Sequence, residues 1–203
     1  MAAQITALSL MQDAPVIPVI VLHNVEHAVP MAEALLAGGI RVLEVTLRTP
    51  QGLACIEAIA RQLPEAIVGA GTVRNAADAA AAALAGARFA VSPGYTGKLG
   101  QACRDLDLPL LPGVATSSEI MMAQEDGFTE LKFFPAVQSG GIQMLKAWQG
   151  PFGELRFCPT GGISPSNAAE FLALSNVVCV GGSWLVPASA VESANWSLIT
   201  ELA

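Results

Sequence analysis

Short apolar runs alternate with alanine- and leucine-rich segments along the chain, and the two patterns predict different elements. The apolar runs predict eight strands, which open near Val16, Val42, Ala66, Phe89, Pro109, Glu130, Leu155 and Val177. The segments between them predict helices, at His27–Gly38, Gln51–Gln62, Asn75–Ala85, Thr96–Asp105, Ser117–Glu125, Gly141–Gln149 and Pro165–Leu174. Such alternation is typical of βαβ units and a parallel sheet. Eight units predict an α/β fold, a (β/α)8 TIM barrel that forms a single domain over residues 1–203. A short N-terminal helix is expected over residues 1–14 and a C-terminal helix over residues 189–202.

Strand alternation places charged side chains on the inward face of two of these runs. Successive side chains of a strand point to opposite faces. In the second run, Glu44, Thr46 and Arg48 share one face, and apolar residues occupy the other. In the sixth run, Lys132 alternates with a leucine and a phenylalanine. Because the apolar side chains should pack against helices, the polar ones are expected to face the barrel interior or its mouth.

Lys132 is the main candidate for covalent chemistry. Burial disfavours the charged form of a lysine, and a neutral amine can attack a carbonyl carbon. The chain has only three lysines, and the other two, Lys98 and Lys146, lie in predicted helices where they should face water. Glu44 is the predicted general base. Two structural alternatives stay open: an internal ion pair, between Glu44 and Arg48 or with Lys132, that only fixes the barrel, and a Lys132 that reaches solvent at the barrel end.

Glycine-rich ends of the last two runs predict where part of a substrate is held. The seventh run ends in Thr160-Gly161-Gly162, and the eighth ends in Gly181-Gly182-Ser183. The loops after strands seven and eight of a barrel commonly bind phosphate through backbone N–H groups and a helix N-terminus. The two motifs together therefore indicate a phosphorylated substrate, although each alone can be a simple turn.

Three further strand ends are weaker candidates for the predicted site. The third run ends at Thr72, which is expected on the inward side together with Val68 and Ala70. The fourth run ends in Ser92-Pro93-Gly94, and the fifth contains Pro112-Gly113. Both of these motifs can be turn chemistry alone.

Composition narrows the class of protein. Hydrophobic residues make up 53% of the 203 residues and charged residues 13%, which fits strands covered on both faces. The net charge of −7 without a basic cluster argues against a nucleic-acid partner, and no apolar run has the length of a membrane span. The first residues lack the positive region of a signal peptide, and the four cysteines are scattered as reduced core residues would be. These features predict a cytoplasmic globular protein.

The two histidines give little support for a metal site. His23 and His27 lie near no cluster of cysteines or carboxylates, whereas a catalytic metal needs about three protein ligands. His23 follows the first strand near the predicted mouth, where a substrate contact and a surface role are equally compatible with the sequence. No metal is therefore expected.

Five motifs, taken in chain order, resemble the 2-keto-3-deoxy-6-phosphogluconate (KDPG) aldolases and the closely related 4-hydroxy-2-oxoglutarate (KHG) aldolases. They are Val42–Thr49, Ile67–Thr72, Lys132–Pro135, Phe157–Pro165 and Gly181–Pro187. The resemblance extends over nearly the whole chain, from about Pro15 to Pro187. One departure is the segment Leu22-His23-Asn24, where relatives often carry a basic residue.

The resemblance implies a class I aldolase on a (β/α)8 barrel, usually a homotrimer, with no metal or organic cofactor. It implies that Lys132 is the Schiff-base lysine and Glu44 the general acid/base. The remaining matched positions are substrate contacts: Arg48 and Thr72 for the pyruvyl carboxylate, Pro93 and Phe134 in the pocket wall, Thr160 for stereochemical preference at C4, and Gly161, Gly162, Gly182 and Ser183 for the phosphate.

The implied reaction cleaves KDPG to pyruvate and glyceraldehyde 3-phosphate, through an iminium on Lys132 and an enamine. Unphosphorylated KHG and the galactonate-derived epimer are alternative substrates for the same chemistry. Two other classes also stay open: a phosphosugar isomerase or epimerase that uses Glu44 as base without a covalent step, and a non-catalytic phosphosugar-binding protein.

Overall fold

A computed structural model describes residues 5–203 of the protein. The strands are β1 Val16–Ile20, β2 Val42–Thr46, β3 Ile67–Gly71, β4 Ala90–Val91, β5 Leu110–Leu111, β6 Gly113–Val114, β7 Glu130–Phe133, β8 Arg156–Pro159 and β9 Val180–Gly182. The helices are α1 Ala7–Met11, a 3-10 turn Val25–His27, α2 Ala28–Ala37, α3 Gly52–Gln62, α4 Ala76–Leu84, α5 Gly97–Asp105, α6 Ser117–Glu125, α7 Gly141–Trp148, α8 Ala168–Leu172, α9 Ala188–Glu192 and α10 Trp196–Leu202. Part of the N-terminal helix predicted over residues 1–14 lies outside the described residues.

The strands form a curled parallel sheet in two hydrogen-bonded sections. One section has the order β5-β4-β3-β2-β1-β9, and the other has the order β6-β7-β8. Every pairing between named strands is parallel. The predicted α/β class with strands alternating with helices is therefore confirmed.

The fifth predicted run is one extended segment that hydrogen-bonds to both sections of the sheet. Pro112 divides it into β5 and β6, because proline has no N–H to donate to a ladder. β5 pairs with β4, and β6 pairs with β7. Two single bridges, from Phe157 to Val177 and from Thr160 to Gly181, lie between β8 and the region of β9.

Apolar side chains pack in two separate clusters, as expected for a sheet that is buried on both faces. The larger cluster lies between the sheet and the helices and includes Leu43, Val45, Leu131 and Phe133. The smaller cluster fills the space that the sheet encloses, and its members are Leu10, Met11, Ile17, Val42, Phe89, Val91, Leu111, Cys158 and Cys179. Since Leu10 and Met11 belong to α1, this helix closes the amino end of the enclosed space.

The predicted orientation of β3 was wrong. Val68 and Ala70 belong to the outer cluster, so the inward positions of this strand are those of Gly69 and Gly71. A Cβ atom at Gly69 would lie 2.4 Å from the ring of Phe89, which occupies the enclosed space beside it. Thr72 lies beyond the end of the strand with φ 62°, so strand alternation does not determine where its side chain points.

The C-terminal helix predicted over residues 189–202 is divided in two. Ala194 has φ 50°, in the left-handed region, and this residue ends the run of helical conformation that includes α9. Asn195 then begins α10, and its side-chain oxygen accepts a hydrogen bond from the N–H of Leu198 at 3.2 Å. Asparagine is a favoured N-cap, whereas nothing in the residue type of Ala194 indicates a break.

Within residues 5–203, no helix combines the length and the apolar character that crossing a bilayer requires.

Tyr95 ties the loop after β4 to the end of α6. Its hydroxyl donates to Oδ2 of Asp126 at 2.5 Å. Burial, and then the hydrogen bond and negative charge of Asp126, raise the pKa of Tyr95 from 10.0 to about 12. In the unfolded chain this tyrosine therefore ionises at lower pH than in the folded protein, and its ionisation favours unfolding.

We expect the free energy of unfolding to fall as the pH rises from 10 to 12, because the unfolded state loses the Tyr95 proton first. The full shift corresponds to roughly 2–3 kcal/mol. Urea denaturation at several pH values measures this change. The Tyr95→Phe protein should lose less stability over the same pH interval. Identical pH profiles of the unfolding free energy for the two proteins would contradict the assignment of this pH dependence to Tyr95.

Candidate active site

A buried lysine and a buried glutamate meet inside the curled sheet. Lys132 Nζ lies 3.1 Å from Oε1 and 3.4 Å from Oε2 of Glu44. Each of the two residues is 3% exposed. The lysine comes from β7 and the glutamate from β2. Since a buried charge is costly unless a partner compensates it, each side chain stabilises the other in this position.

Apolar neighbours fix the direction of both side chains. Leu131 and Phe133 pack fully buried in the outer cluster, so the alternation of β7 directs Lys132 to the opposite face. The residues on either side of Glu44 in β2 also belong to the outer cluster, with the same result. The predicted inward orientation of Lys132 and Glu44 is confirmed. The other lysines, Lys98 and Lys146, are exposed on helices as predicted.

The walls around the pair include an aromatic ring and a glycine. Lys132 Nζ lies 5.4 Å from the centre of the Phe134 ring. On the side of β3, a Cβ atom at Gly71 would lie 2.3 Å from Oε1 of Glu44. The absence of a side chain at Gly71 therefore gives the carboxylate the room that it occupies. Sequence reasoning did not single out Gly71, because Gly-Thr at a strand end is also common in simple turns.

Ser92 supports the strand beside Lys132 and was also missed. Its fully buried Oγ accepts the N–H of Gly113 at 3.3 Å. Gly113 pairs with Lys132, whose own N–H donates to the carbonyl of Pro112 at 2.8 Å. A Cβ atom at Gly113 would lie 2.4 Å from the carbonyl carbon of Pro93. The two motifs interpreted as turns thus hold the backbone next to the lysine.

Arg48 and Thr72 meet at the mouth of the site. Arg48 Nε donates to Thr72 Oγ1 at 3.2 Å. The arginine is exposed and follows the end of β2, while Thr72 is half-buried after β3. With Nε held in this way, the remaining N–H groups of the guanidinium can bind a carboxylate in a bidentate manner.

The loops after β8 and β9 lie side by side. The bridge between Thr160 and Gly181 joins them, and Thr160 itself is buried. Gly161 and Gly162 have φ values of 97° and 76°, which favour glycine. A Cβ atom at Gly161 would lie 3.3 Å from the ring of Phe134, so this loop passes close to the aromatic wall of the site.

The remaining predicted residues of this edge are one closely packed glycine and two exposed side chains. A Cβ atom at Gly182 would lie 1.8 Å from the ring of Trp184. Ser183, between them, is exposed, as is Pro93 on the loop after β4. The helix expected from Pro165 begins only at Ala168, so the backbone N–H groups of the glycine loops are the stronger candidates for binding an anion.

The two histidines border a separate small cavity. It has a volume of about 250 Å³ and is lined by Val21, His23, His27 and Glu192 among others. In the described part of the chain, residues 5–203, no group of three or more histidine, cysteine, aspartate or glutamate side chains could hold a metal ion.

A lysine and a carboxylate buried together in a curled parallel sheet suit an enzyme that acts on carbonyl groups through an amine. The family model described as KDPG and KHG aldolase matches residues 8–202. The chain belongs to this family of aldolases, as the resemblance predicted.

Curated relatives and solved structures agree with this membership. The KHG/KDPG aldolase of Escherichia coli K12 is 54% identical over 198 residues, covering 98% of this chain and 93% of the relative. The KDPG aldolase of Legionella pneumophila, with pyruvate captured at low pH as a covalent carbinolamine intermediate, is 50% identical with a TM-score of 0.96 and covers 98% of this chain and 97% of that one. The Zymomonas mobilis ZM4 aldolase with 3-phosphoglycerate is 44% identical with a TM-score of 0.88, covering 99% and 98% of the two chains.

The close contact between Gly71 and Glu44 gives a test of the site geometry. In Gly71→Ala the new methyl group must displace the carboxylate, and a misplacement of this kind costs roughly 10²-fold in kcat. Steady-state kinetics measure the loss. Gly150→Ala is the control, because its Cβ would lie 4.0 Å from its nearest neighbour, the carbonyl oxygen of Ala147. A folded Gly71→Ala protein with the kcat of the wild type would show that the position of Glu44 does not matter.

Proposed function

We propose that this aldolase cleaves KDPG to pyruvate and glyceraldehyde 3-phosphate through a Schiff base on Lys132. The observation that carries the proposal is the buried contact of 3.1 Å between Lys132 Nζ and Glu44 Oε1. Glu44 is the only partner of this amine among the hydrogen bonds of the described residues, so the pair can exchange a proton without solvent. The carbinolamine captured in the Legionella relative supports an amine that adds to pyruvate.

The first step is addition of the amine to the keto group. Glu44 takes a proton from Lys132 Nζ, and the nitrogen lone pair forms a bond to C2 of the substrate while the π electrons of the C=O bond move to the oxygen. That oxygen then takes a second proton, which the newly bonded nitrogen loses. The resulting carbinolamine loses this oxygen as water, with Glu44 returning the proton that the leaving hydroxyl needs. The product of these transfers is an iminium between Nζ and C2.

The iminium makes cleavage of the C3–C4 bond possible. Glu44, directly or through a water, takes the proton of the C4 hydroxyl, and the electrons of the C3–C4 bond move towards the iminium nitrogen. The aldehyde leaves, and an enamine remains on Lys132. Protonation at C3 restores an iminium, and hydrolysis then releases pyruvate and regenerates the amine.

Residues at the mouth are proposed to hold the carboxylate end of the substrate and to line its pocket. Arg48 and Thr72, already joined by a hydrogen bond of 3.2 Å, are placed to bind the pyruvyl carboxylate. Phe134 and Pro93 would line the pocket between the ends, and Thr160 would contact the substrate near C4.

The phosphate is proposed to bind at the paired loops after β8 and β9. The residues that would contact it are Gly161, Gly162, Gly182 and Ser183. The adjacency of these loops supports this position. The Zymomonas relative that was solved with 3-phosphoglycerate supports a phosphorylated ligand.

KHG is a second proposed substrate, cleaved to pyruvate and glyoxylate by the same steps. The name of the Escherichia coli relative, KHG/KDPG aldolase, favours it. KHG has no phosphate, so the loops after β8 and β9 would contribute no phosphate contacts to its binding. Comparing kcat/KM for KDPG, its C4 epimer and KHG decides the preference.

We also infer that the two sections of the sheet close into a (β/α)8 barrel in one domain. The continuous segment through β5 and β6 and the bridges between β8 and β9 support closure. The cytoplasmic location and the homotrimer stay predictions, and sedimentation equilibrium of the full chain tests the trimer.

Borohydride reduction in the presence of pyruvate tests the Schiff base directly. We expect one pyruvyl adduct per chain, located on Lys132 by peptide mapping, and complete loss of adduct and activity in Lys132→Ala. Lys146→Ala is the matched control. Because this lysine is exposed on a helix, its substitution should change neither the adduct nor the activity. The absence of an adduct on active wild-type protein would return attention to an isomerase or epimerase that uses Glu44 without a covalent step.

Substitution of Glu44 tests the proton transfers separately from the nucleophile. We expect Glu44→Gln to lower kcat by about 10²–10⁴-fold, because the amide cannot accept the protons of Nζ and of the C4 hydroxyl. It should also reduce stability by about 3–5 kcal/mol, since buried Lys132 loses its counter-ion. Glu130→Gln, at the amino end of the same β7, is the control for both effects. Activity within twofold of the wild type in a folded Glu44→Gln protein would refute the role; the threshold corresponds to about 0.4 kcal/mol.

A further inference from the structure

A large cavity lies at the amino ends of the strands, away from the residues proposed for catalysis. Its volume of about 770 Å³ is within the range of small-molecule sites. Its walls include the segments that precede three strands, at Arg88 before β4, Pro109 before β5 and Phe128 before β7. The side of α5 that carries Gly100, among others, completes it. None of these residues belongs to the site of Lys132 and Glu44.

Two hydrogen bonds and an aromatic contact orient the exposed side chain of Arg104 in the lining of this cavity. Its Nη1 donates to the backbone carbonyl of Asp126 at 3.2 Å, and its Nη2 donates to the side-chain oxygen of Gln101 at 3.1 Å. Its Cζ lies 5.8 Å from the centre of the Phe128 ring. A guanidinium carries five N–H donors, so these contacts leave donors for a ligand. Because the group is already ordered, binding costs less side-chain entropy.

The remainder of the lining combines positive charge with an apolar surface. Arg88 supplies a second guanidinium, and Asp107 supplies one carboxylate, so the ionisable side chains of the lining leave a positive charge in a chain whose net charge is −7. Ile5 and Phe128, which are only part-buried, give the apolar part of the wall. This combination suits a ligand with one anionic group and an apolar body.

We propose that this cavity is a second binding site, which takes a small organic anion with an apolar body, such as a carboxylate on a ring. Arg104 and Arg88 bind the carboxylate, and the apolar body packs against Ile5 and Phe128. The site lies at the opposite ends of the strands from the mouth, so its ligand does not compete with the aldol substrate.

Benzoate is the probe for this site, with benzyl alcohol as its uncharged counterpart. Titrations followed by ¹H–¹⁵N NMR on the full chain, with pyruvate present in excess, should show saturable shifts in α5 and residues 107–110. Benzyl alcohol should bind at least about tenfold more weakly, because it lacks the charge that the arginines recognise. The Lys132→Ala protein should bind benzoate like the wild type, which separates this test from the proposed catalytic chemistry.

Arg104→Met, which keeps the apolar stem, should raise the Kd for benzoate by about tenfold or more. Arg88→Gln should also raise the Kd for benzoate. Because Arg88 is exposed, this variant keeps the test valid if Arg104→Met fails to fold. Lys98→Met removes the same charge from the same helix α5 outside the cavity lining and should leave the Kd unchanged. Lack of saturation, an unchanged Kd in both arginine variants, or shifts confined to the mouth would each overturn the proposal.

Discussion

The ion pair between Lys132 and Glu44 is the constraint on which the rest of the site depends. Both groups are nearly removed from water, and an isolated buried charge of either sign would be strongly unfavourable. The curl of the sheet brings β7 and β2 to face each other, so the pair forms only in the folded chain. The same contact that satisfies two buried charges also provides an acid and a base at one position, where carbonyl chemistry needs both.

Glycines, which have no side chain, make this arrangement possible. Gly71 leaves room for the Glu44 carboxylate, Gly69 leaves room for the Phe89 ring, and Gly113 lets the backbone at Pro93 approach. The Glu44 carboxylate and the Phe89 ring thus each lie next to a glycine of β3, and the Pro93 backbone lies next to a glycine of β6. A closely packed interior tolerates little added volume, so these glycines define the site as firmly as the residues that react.

The sequence predicted those parts of the structure in which apolar and polar residues contrast. Lys132 and Glu44 stand between large apolar residues, so the alternation of β7 and β2 could be determined without coordinates. In β3 glycine, alanine and valine follow one another, and this pattern carries little contrast between faces, which is why its orientation was predicted incorrectly. The break at Ala194 depends on a backbone angle that alanine does not signal. The cavity around Arg104 joins residues from separate segments, which no local pattern relates.

The inner apolar cluster has a consequence for the order of events in the proposed reaction. Leu10, Met11, Phe89 and Leu111 pack together in this cluster on the inner side of the sheet, so we expect molecules to reach Lys132 from the mouth. The three-carbon fragment stays bonded to the lysine, whereas the aldehyde fragment is free once the C3–C4 bond has broken. The aldehyde must leave before pyruvate can, and in the synthetic direction pyruvate must enter first. The covalent bond to a lysine above an apolar floor thus gives the reversible reaction a fixed order of binding and release.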